Sequence, residues 1–343
     1  MGVFVLLPLL LPLTALPVAR LAERHLHPRV ATRLLSALAA VLALCSTVCL
    51  GLLVVVGTVQ LPGHPLPDEW AERETRTTAP YEEAAGKAAV VALLAVAVSW
   101  STAARRHRRV RRRAEHALAG VPDGELAVLT DEAAYAYALP GVRDRPPTAR
   151  ARARRVRWSS VLSRPGLRRR SRRTGIPGGR VVVSTAMLAC LDDGERAALL
   201  AHERAHLAGH HHRYLLTVRF AARANPLLRP LRSAVAYTTE RWADEEAARV
   251  TGERRVVARA IGKAALVSRG TPTPTLAGFA APGPVPRRVA ALLEPAPSPV
   301  SWPSVFTAVG LAAWAAAAGT LGSALSSANA TVTLFLVLKA GPL

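Results

Sequence analysis

Four stretches of the chain stay apolar for longer than an ordinary buried helix requires. Ser36 to Leu61 runs 26 residues without a charge. Lys87 to Ala104 is uncharged after its first residue, and Pro303 to Leu325 is charge-free behind Trp302. Val3 to Ala19 is a shorter run of 17 residues, broken by Pro8, Pro12 and Pro17. A helix needs about 20 apolar residues to cross a bilayer. The pattern therefore predicts about four transmembrane helices, over 3–19, 36–61, 87–104 and 303–325. The first lacks the positive start of a cleaved leader, having no Lys or Arg before Arg20, and reads as a span. Thr331 to Leu338 is too short to cross again; it extends the last helix or lies on the surface.

Between the third and fourth runs the periodicity changes. Glu125–Thr130 (ELAVLT), Ala134–Leu139 (AYAYAL) and Arg180–Ser184 (RVVVS) have strand patterning. Pro140-Gly141 is a turn signal, so the last two strands read as a hairpin whose tip is expanded by an Arg-rich insertion over 143–179. Asp192 followed by Glu195 has the form of a capping box. It opens a helix from Glu195 to Ala224 that contains no Pro and only Gly209, and Asn225-Pro226 ends it. Further helices are predicted over Ser233–Val250, stopped by Gly252, and over Val256–Ser268. Thr271 to Pro299 is a proline-rich linker interrupted by Arg287–Leu293. Three units follow: 1–104 with three spans, 105–300 as an α+β unit, and 301–343 with the fourth span and a short tail.

Charge orients this arrangement. The net charge of +22 comes from 45 basic and 23 acidic residues. Arg105–Arg113 holds seven arginines in nine positions, and Arg143–Arg173 holds thirteen more. Arg20, Arg24, Arg29 and Arg33 flank the first two runs, whereas the loop 62–86 is acidic, with Asp68, Glu69, Glu72, Glu74, Glu82 and Glu83 against Arg73 and Arg76. By the positive-inside rule the acidic loop is external, and residues 105–300 are cytoplasmic in a multi-pass protein of the cell membrane. The arginines then face anionic membrane lipids. Trp158 is the one aromatic interleaved with them, and no reader motif accompanies them, which argues against nucleic acid as a partner. Cys45, Cys49 and Cys190 have neither disulfide-framework nor zinc-ribbon spacing. Abundant Arg over Lys, together with abundant Ala, suggests a G+C-rich bacterial genome.

The long helix carries His202-Glu203-Arg204-Ala205-His206. Four residues is about one helical turn, so both imidazoles face the same side and can grip one Zn2+ ion per chain. Glu203, turned by about 100°, can serve as catalytic base toward a zinc-activated water. Glu240 lies 34 residues after His206 on the next helix, where an antiparallel return brings it back as a third ligand. Asp244, one turn on, can accept a hydrogen bond from a ligand imidazole and orient it. His202 to His212 also fits the longer motif that continues through Gly209 to a third histidine. That pattern needs a downstream Met-turn, and the only methionines, Met1 and Met187, lie upstream. His210, His211 and His212 then read as polar surface of a continuing helix. Tyr237, His210, His211 and His212 are the candidates for an oxyanion or proton donor. A strand beside the metal helix, Arg180–Ser184 or AYAYAL, is expected to pair with an extended substrate.

The segments AYALPG, RVVVSTAML, LLAHERAHLAGHH, ERWADEEA and RRVAALL resemble the membrane-embedded zinc peptidases of the BlaR/MecR type, relatives of the HtpX and CAAX prenyl protease group. The resemblance spans about 120–293. It implies a gluzincin-like zinc-metallopeptidase fold on an α-helical membrane protein, with zinc on His202, His206 and Glu240, catalysis by Glu203 and support from Asp244. It also implies a protein or peptide substrate and regulatory signalling by repressor cleavage. Two features depart from that pattern: fewer than twenty residues follow Leu325, leaving no penicillin-binding sensor domain, and the Arg-rich insertion is foreign to the hairpin. Two alternatives stand beside this reading: a non-catalytic membrane signalling protein on a peptidase fold, and a membrane-protein quality-control protease. The intact Glu203 argues against the first.

Overall fold

The computed structural model describes residues 8–58, 81–122, 124–141, 179–268, 285–297 and 306–339. Residues 142–178 of the Arg-rich insertion, 62–80 of the acidic loop and 269–284 of the linker lie outside the described residues. The chain is mostly helical, with a small mixed sheet.

Among the described residues three helices are long and apolar enough to cross a membrane, over Pro28–Val55, Ala84–Ala117 and Val309–Thr333. They belong to α2 (Pro28–Thr58), α3 (Tyr81–Ala117) and α10 (Ala308–Lys339). α10 takes in Thr331–Leu338, so that segment extends the last helix. α3 carries the arginines of 105–113 in the same continuous helix as its apolar run. The expected span over 3–19 lies partly outside the described residues. Its described part is a 3-10 turn, Leu11–Thr14, and the start of α1, Ala15–His25. The small residues Ala15, Ala19 and Ala22 line one face of α1 and are buried in the core.

That core explains why α2 is apolar along its first half. Leu35, Leu38, Ala39, Leu42 and Ala43 recur at helical spacing and pack against Val218, Ala221, Leu228, Leu231 and Val235. The apolar run of α2 is therefore packed against protein along its first half.

The sheet has the order β1-β3-β2, with β1 Leu126–Leu129, β2 Ala136–Leu139 and β3 Arg180–Ser184. β2 and β3 are antiparallel, as a hairpin requires, and β1 adds in parallel on the other side. All five residues of β3 are buried. Arg180–Ser184 is therefore the central strand and has no free edge, and of the two substrate-pairing candidates only AYAYAL retains one. Ser184 N donates to the Tyr135 carbonyl at 3.0 Å. With a two-residue alternation, the peptide groups of Ala136 and Ala138 face away from β3.

After α4 (Thr185–Ala189) come α5 (Asp193–Ala208), α6 (His211–Ala224), α7 (Arg229–Thr251), α8 (Arg254–Val267) and α9 (Val285–Leu293). The capping box closes as its spacing predicts: Glu195 N donates to Asp192 Oδ1 at 2.8 Å, and Asp192 N to Glu195 Oε2 at 3.1 Å. Glu195 is wholly buried and also takes Lys263 of α8 at 2.6 Å. The helix expected to run unbroken to Ala224 instead breaks at Gly209-His210. His210 adopts a left-handed φ of 52°, and a Cβ at position 209 would run into the His211 ring. α7 ends at Gly252, whose φ of 76° suits a residue without a side chain.

Candidate metal centre

α7 is buried on every side from Ala234 to Asp244 although its composition is polar. A helix of that composition in a core calls for charged partners, and α5 and α9 supply them. His202 Nε2 lies 3.1 Å from His206 Nε2 and 3.6 Å from Glu240 Oε2, while His206 Nε2 lies 3.5 Å from Glu240 Oε1. One ligand atom from each of the three falls within 4.8 Å of the others. A tetrahedral ion with ligand bonds of about 2.0–2.2 Å spaces its ligands by about 3.3–3.6 Å. The set thus fits one metal ion in donor chemistry and in size.

The far nitrogens of both histidines also have partners. His202 Nδ1 lies 3.0 Å from Asp244 Oδ1. Asp244 is fully buried and takes a two-pronged contact from Arg288 of α9, Nη2 to Oδ1 at 2.6 Å and Nε to Oδ2 at 2.8 Å. Arg288 Nη1 reaches Glu240 Oε2 at 3.0 Å. One guanidinium therefore fixes both the third ligand and the carboxylate behind the first. On the other side His206 Nδ1 lies 2.9 Å from His211 Nδ1. With Nε2 turned to the ligand cluster, His206 donates from Nδ1 and His211 accepts. His211 is fully buried, 4.4 Å from the Trp242 ring centroid, and the guanidinium groups of Arg29 and Arg33 of α2 each lie 5.5 Å from that same ring.

Burial opposes charge throughout this cluster, and the named neighbours decide the outcome. Burial alone would raise the carboxyls of Glu240 and Asp244, yet Arg288 above all holds both below the usual range. His202 is held above its ordinary value against burial, by Asp244 and Glu240. His206 is lowered by burial, with Glu240 opposing. A proton on His202 therefore stands where a cation bound by the three ligands would displace it. Burial drives the His211 pKa down to about 2, so it is neutral and able to accept from His206. Glu203 is pushed up to about 7, by burial first. The Ala138 N–H on the free edge of β2 points at its carboxylate.

His202, Glu203, His206, Glu240 and Arg288 line a cleft of about 860 Å³ whose walls are mostly apolar. β2 forms one wall with Tyr135 to Leu139, and α8 forms another with Val257, Ile261 and Ala264. Of the four oxyanion candidates, His212 lines the cleft. His211 sits behind His206, His210 is exposed at the break, and Tyr237 is buried under Arg287 at 4.2 Å. None of those three lines the cleft. His211 and Arg288 were not assigned these positions from sequence. The signal for His211 was Gly209, a residue that a straight helix does not need; for Arg288 it was the RRVAALL segment, whose partner 44 residues earlier no local pattern indicates.

With His206 as one of the donors that could hold a metal and His211 against its far nitrogen, His211→Ala is expected to weaken metal binding by about 10–100-fold while leaving the fold intact. Gly209→Ala should do the same indirectly, by forcing the His211 ring away. Competition titration against a chromophoric chelator measures both, and wild-type affinity in both variants would exclude this role.

The model of peptidase family M48 matches residues 174–225, the segment from the end of the Arg-rich stretch through β3, α5 and α6. No curated protein and no solved structure matches the chain. The segment with the paired histidines is thus similar to a family of metallopeptidases, and the fold brings the Glu240 carboxylate, from outside the matched residues, within reach of the same ion.

Proposed function

We propose that this protein is a membrane-bound, zinc-dependent endopeptidase with a gluzincin-like catalytic unit. The carrying observation is the three donors of His202, His206 and Glu240 at tetrahedral spacing beside the buried carboxylate of Glu203. Zinc, when bound there, polarises a substrate carbonyl and makes water a nucleophile near neutral pH. The chain's residues do the rest. His202 and His206 present Nε2, each oriented from its Nδ1 side by Asp244 or His211. Glu203, with a pKa near neutrality, accepts the proton of the attacking water on a carboxylate oxygen and delivers it to the departing amine. The outward peptide groups of Ala136, and the carbonyl of Ala138, pair with an extended substrate backbone. The apolar walls exclude water and select apolar side chains.

The substrate proposed is a cytoplasmic or membrane-proximal protein, and the BlaR/MecR resemblance supports a regulatory target such as a repressor. Incubation of the purified protein with peptide libraries, followed by mass spectrometry of new termini, tests the reaction. Chelator-sensitive cleavage supports it, and zinc-loaded protein that cuts nothing would favour a binding role. Orientation is also proposed: a reporter fused near Gly120 reads as cytoplasmic and one near Thr77 as external. The reverse pattern would overturn it.

A further inference from the structure

The turn between α6 and α7 is tied to the membrane helices below their cytoplasmic ends. Asn225 Nδ2 donates to Ser46 Oγ at 3.0 Å, and Ser46 in turn donates to the Pro8 carbonyl at 2.9 Å. Ser46 lies ten residues into the apolar run that starts at Ser36, roughly 15 Å along an α-helix. α6 runs antiparallel to α3. His212 faces the same end of the cleft as His107 and Arg111, whereas Trp100 Nε1 donates to the Phe220 carbonyl at 3.0 Å, with the two rings edge-to-face at 6.1 Å. From Phe220 onward α6 therefore descends past Trp100 into the apolar part of α3. Trp is at home at the membrane interface. The tip of the turn is apolar, with Pro226 and Leu227 exposed.

Arginines ring this tip. Arg223 ends α6, Arg229 and Arg232 begin α7, and Arg106 follows Trp100 on α3. Among the described residues no Asp or Glu forms an ion pair with these four. Burial first, then Arg232 and Arg106, lower the pKa of Arg223, and no acidic neighbour offsets them. Arginines gathered around this turn from three helices repel each other unless an anion joins them. Their guanidinium forks match phosphate oxygens, and their long apolar stems let the charged heads reach from the apolar level of the turn toward the phosphates at the membrane surface.

We propose that the α6–α7 turn is a binding site for an anionic phospholipid, with Pro226 and Leu227 entering the acyl edge and Arg106, Arg223 and Arg232 holding the headgroup phosphate. The site rests on the membrane reading above. It anchors the first turn of α7, the helix that carries Glu240 and Asp244.

The test is native mass spectrometry of the full chain from nanodiscs of phosphatidylcholine with and without phosphatidylglycerol. Wild type should retain one phosphatidylglycerol per chain in preference to phosphatidylcholine. Arg223→Gln/Arg232→Gln should lose that preference by about five-fold per arginine, some twenty-five-fold in all. Arg106→Gln alone, a milder change at an exposed position, should lose about five-fold. Arg108→Gln/Arg112→Gln removes the same charge from exposed positions and should leave retention within about two-fold. Equal losses in both double variants would mean diffuse attraction and overturn the site. Displacement of the lipid by millimolar inorganic phosphate would overturn it as well, because the ligand would then be a free anion. A variant that stays in the membrane yet keeps its lipid refutes the site alone, whereas a chain that alkaline carbonate strips from vesicles refutes the membrane reading and the site together.

Discussion

Glu203→Gln is expected to lower the peptide-cleavage rate by about 10³-fold or more while the chain keeps its zinc, since general acid–base groups contribute about 10²–10⁴-fold. The substitution preserves size and removes only the proton acceptor. Glu203 is not one of the three clustered donors, so ligand geometry should be unchanged. Burial holds its pKa up near 7, which keeps a proton on it close to equilibrium with the site and suits both halves of the proton transfer. Cleavage assays on zinc-loaded wild type and variant, with zinc measured on the same samples, check this. A variant as fast as wild type would transfer the base role to another group, with His212 the candidate that lines the cleft.

The second large effect concerns stability. Arg288→Ala leaves Asp244 and Glu240 buried without the cation that contacts both at 2.6–3.0 Å. Removing one partner of a buried ion pair typically costs about 3–5 kcal/mol, because the remaining charge is uncompensated. The metal-free variant should therefore melt far below the metal-free wild type. Zinc should narrow the gap, since it restores positive charge beside Glu240. Thermal unfolding with and without chelator measures both differences. Equal melting temperatures in the chelated proteins would mean that Arg288 is not what keeps these carboxylates in the core.

The legibility of the fold and site varied with the range of the interactions involved. The His202–His206 spacing and the Asp192–Glu195 box follow from neighbours a few residues apart, and the structure shows both; the β2–β3 pairing was legible across the long insertion from its two flanking strand patterns and the Pro140-Gly141 turn signal. Glu240 and Asp244 were legible because an Asn-Pro turn sends one helix back along the other. The break at Gly209-His210 was not, since a lone glycine is compatible with a helix interior and the left-handed φ at His210 depends on where the His211 ring packs. Arg288 was invisible as a partner because its carboxylates are 44 and 48 residues earlier, across the linker. The apolar half of α2 that packs on α6 and α7 looks in sequence like the half beyond it; hydropathy reports removal from water and not whether lipid or protein takes its place. Arg223, Arg229 and Arg232 lie close together in sequence, but Arg106 is more than a hundred residues away and joins them only when that turn folds against α3.

The most direct test of the metal centre is the zinc content of detergent-purified protein, wild type against Glu240→Ala, prepared without chelator. About one zinc per chain in wild type and a loss in the variant is the result a metallopeptidase site predicts. Wild-type protein that takes up no zinc when zinc is supplied would contradict it, and the cluster of His202, His206 and Glu240 would then be a buried ion-pair network serving a membrane signalling scaffold.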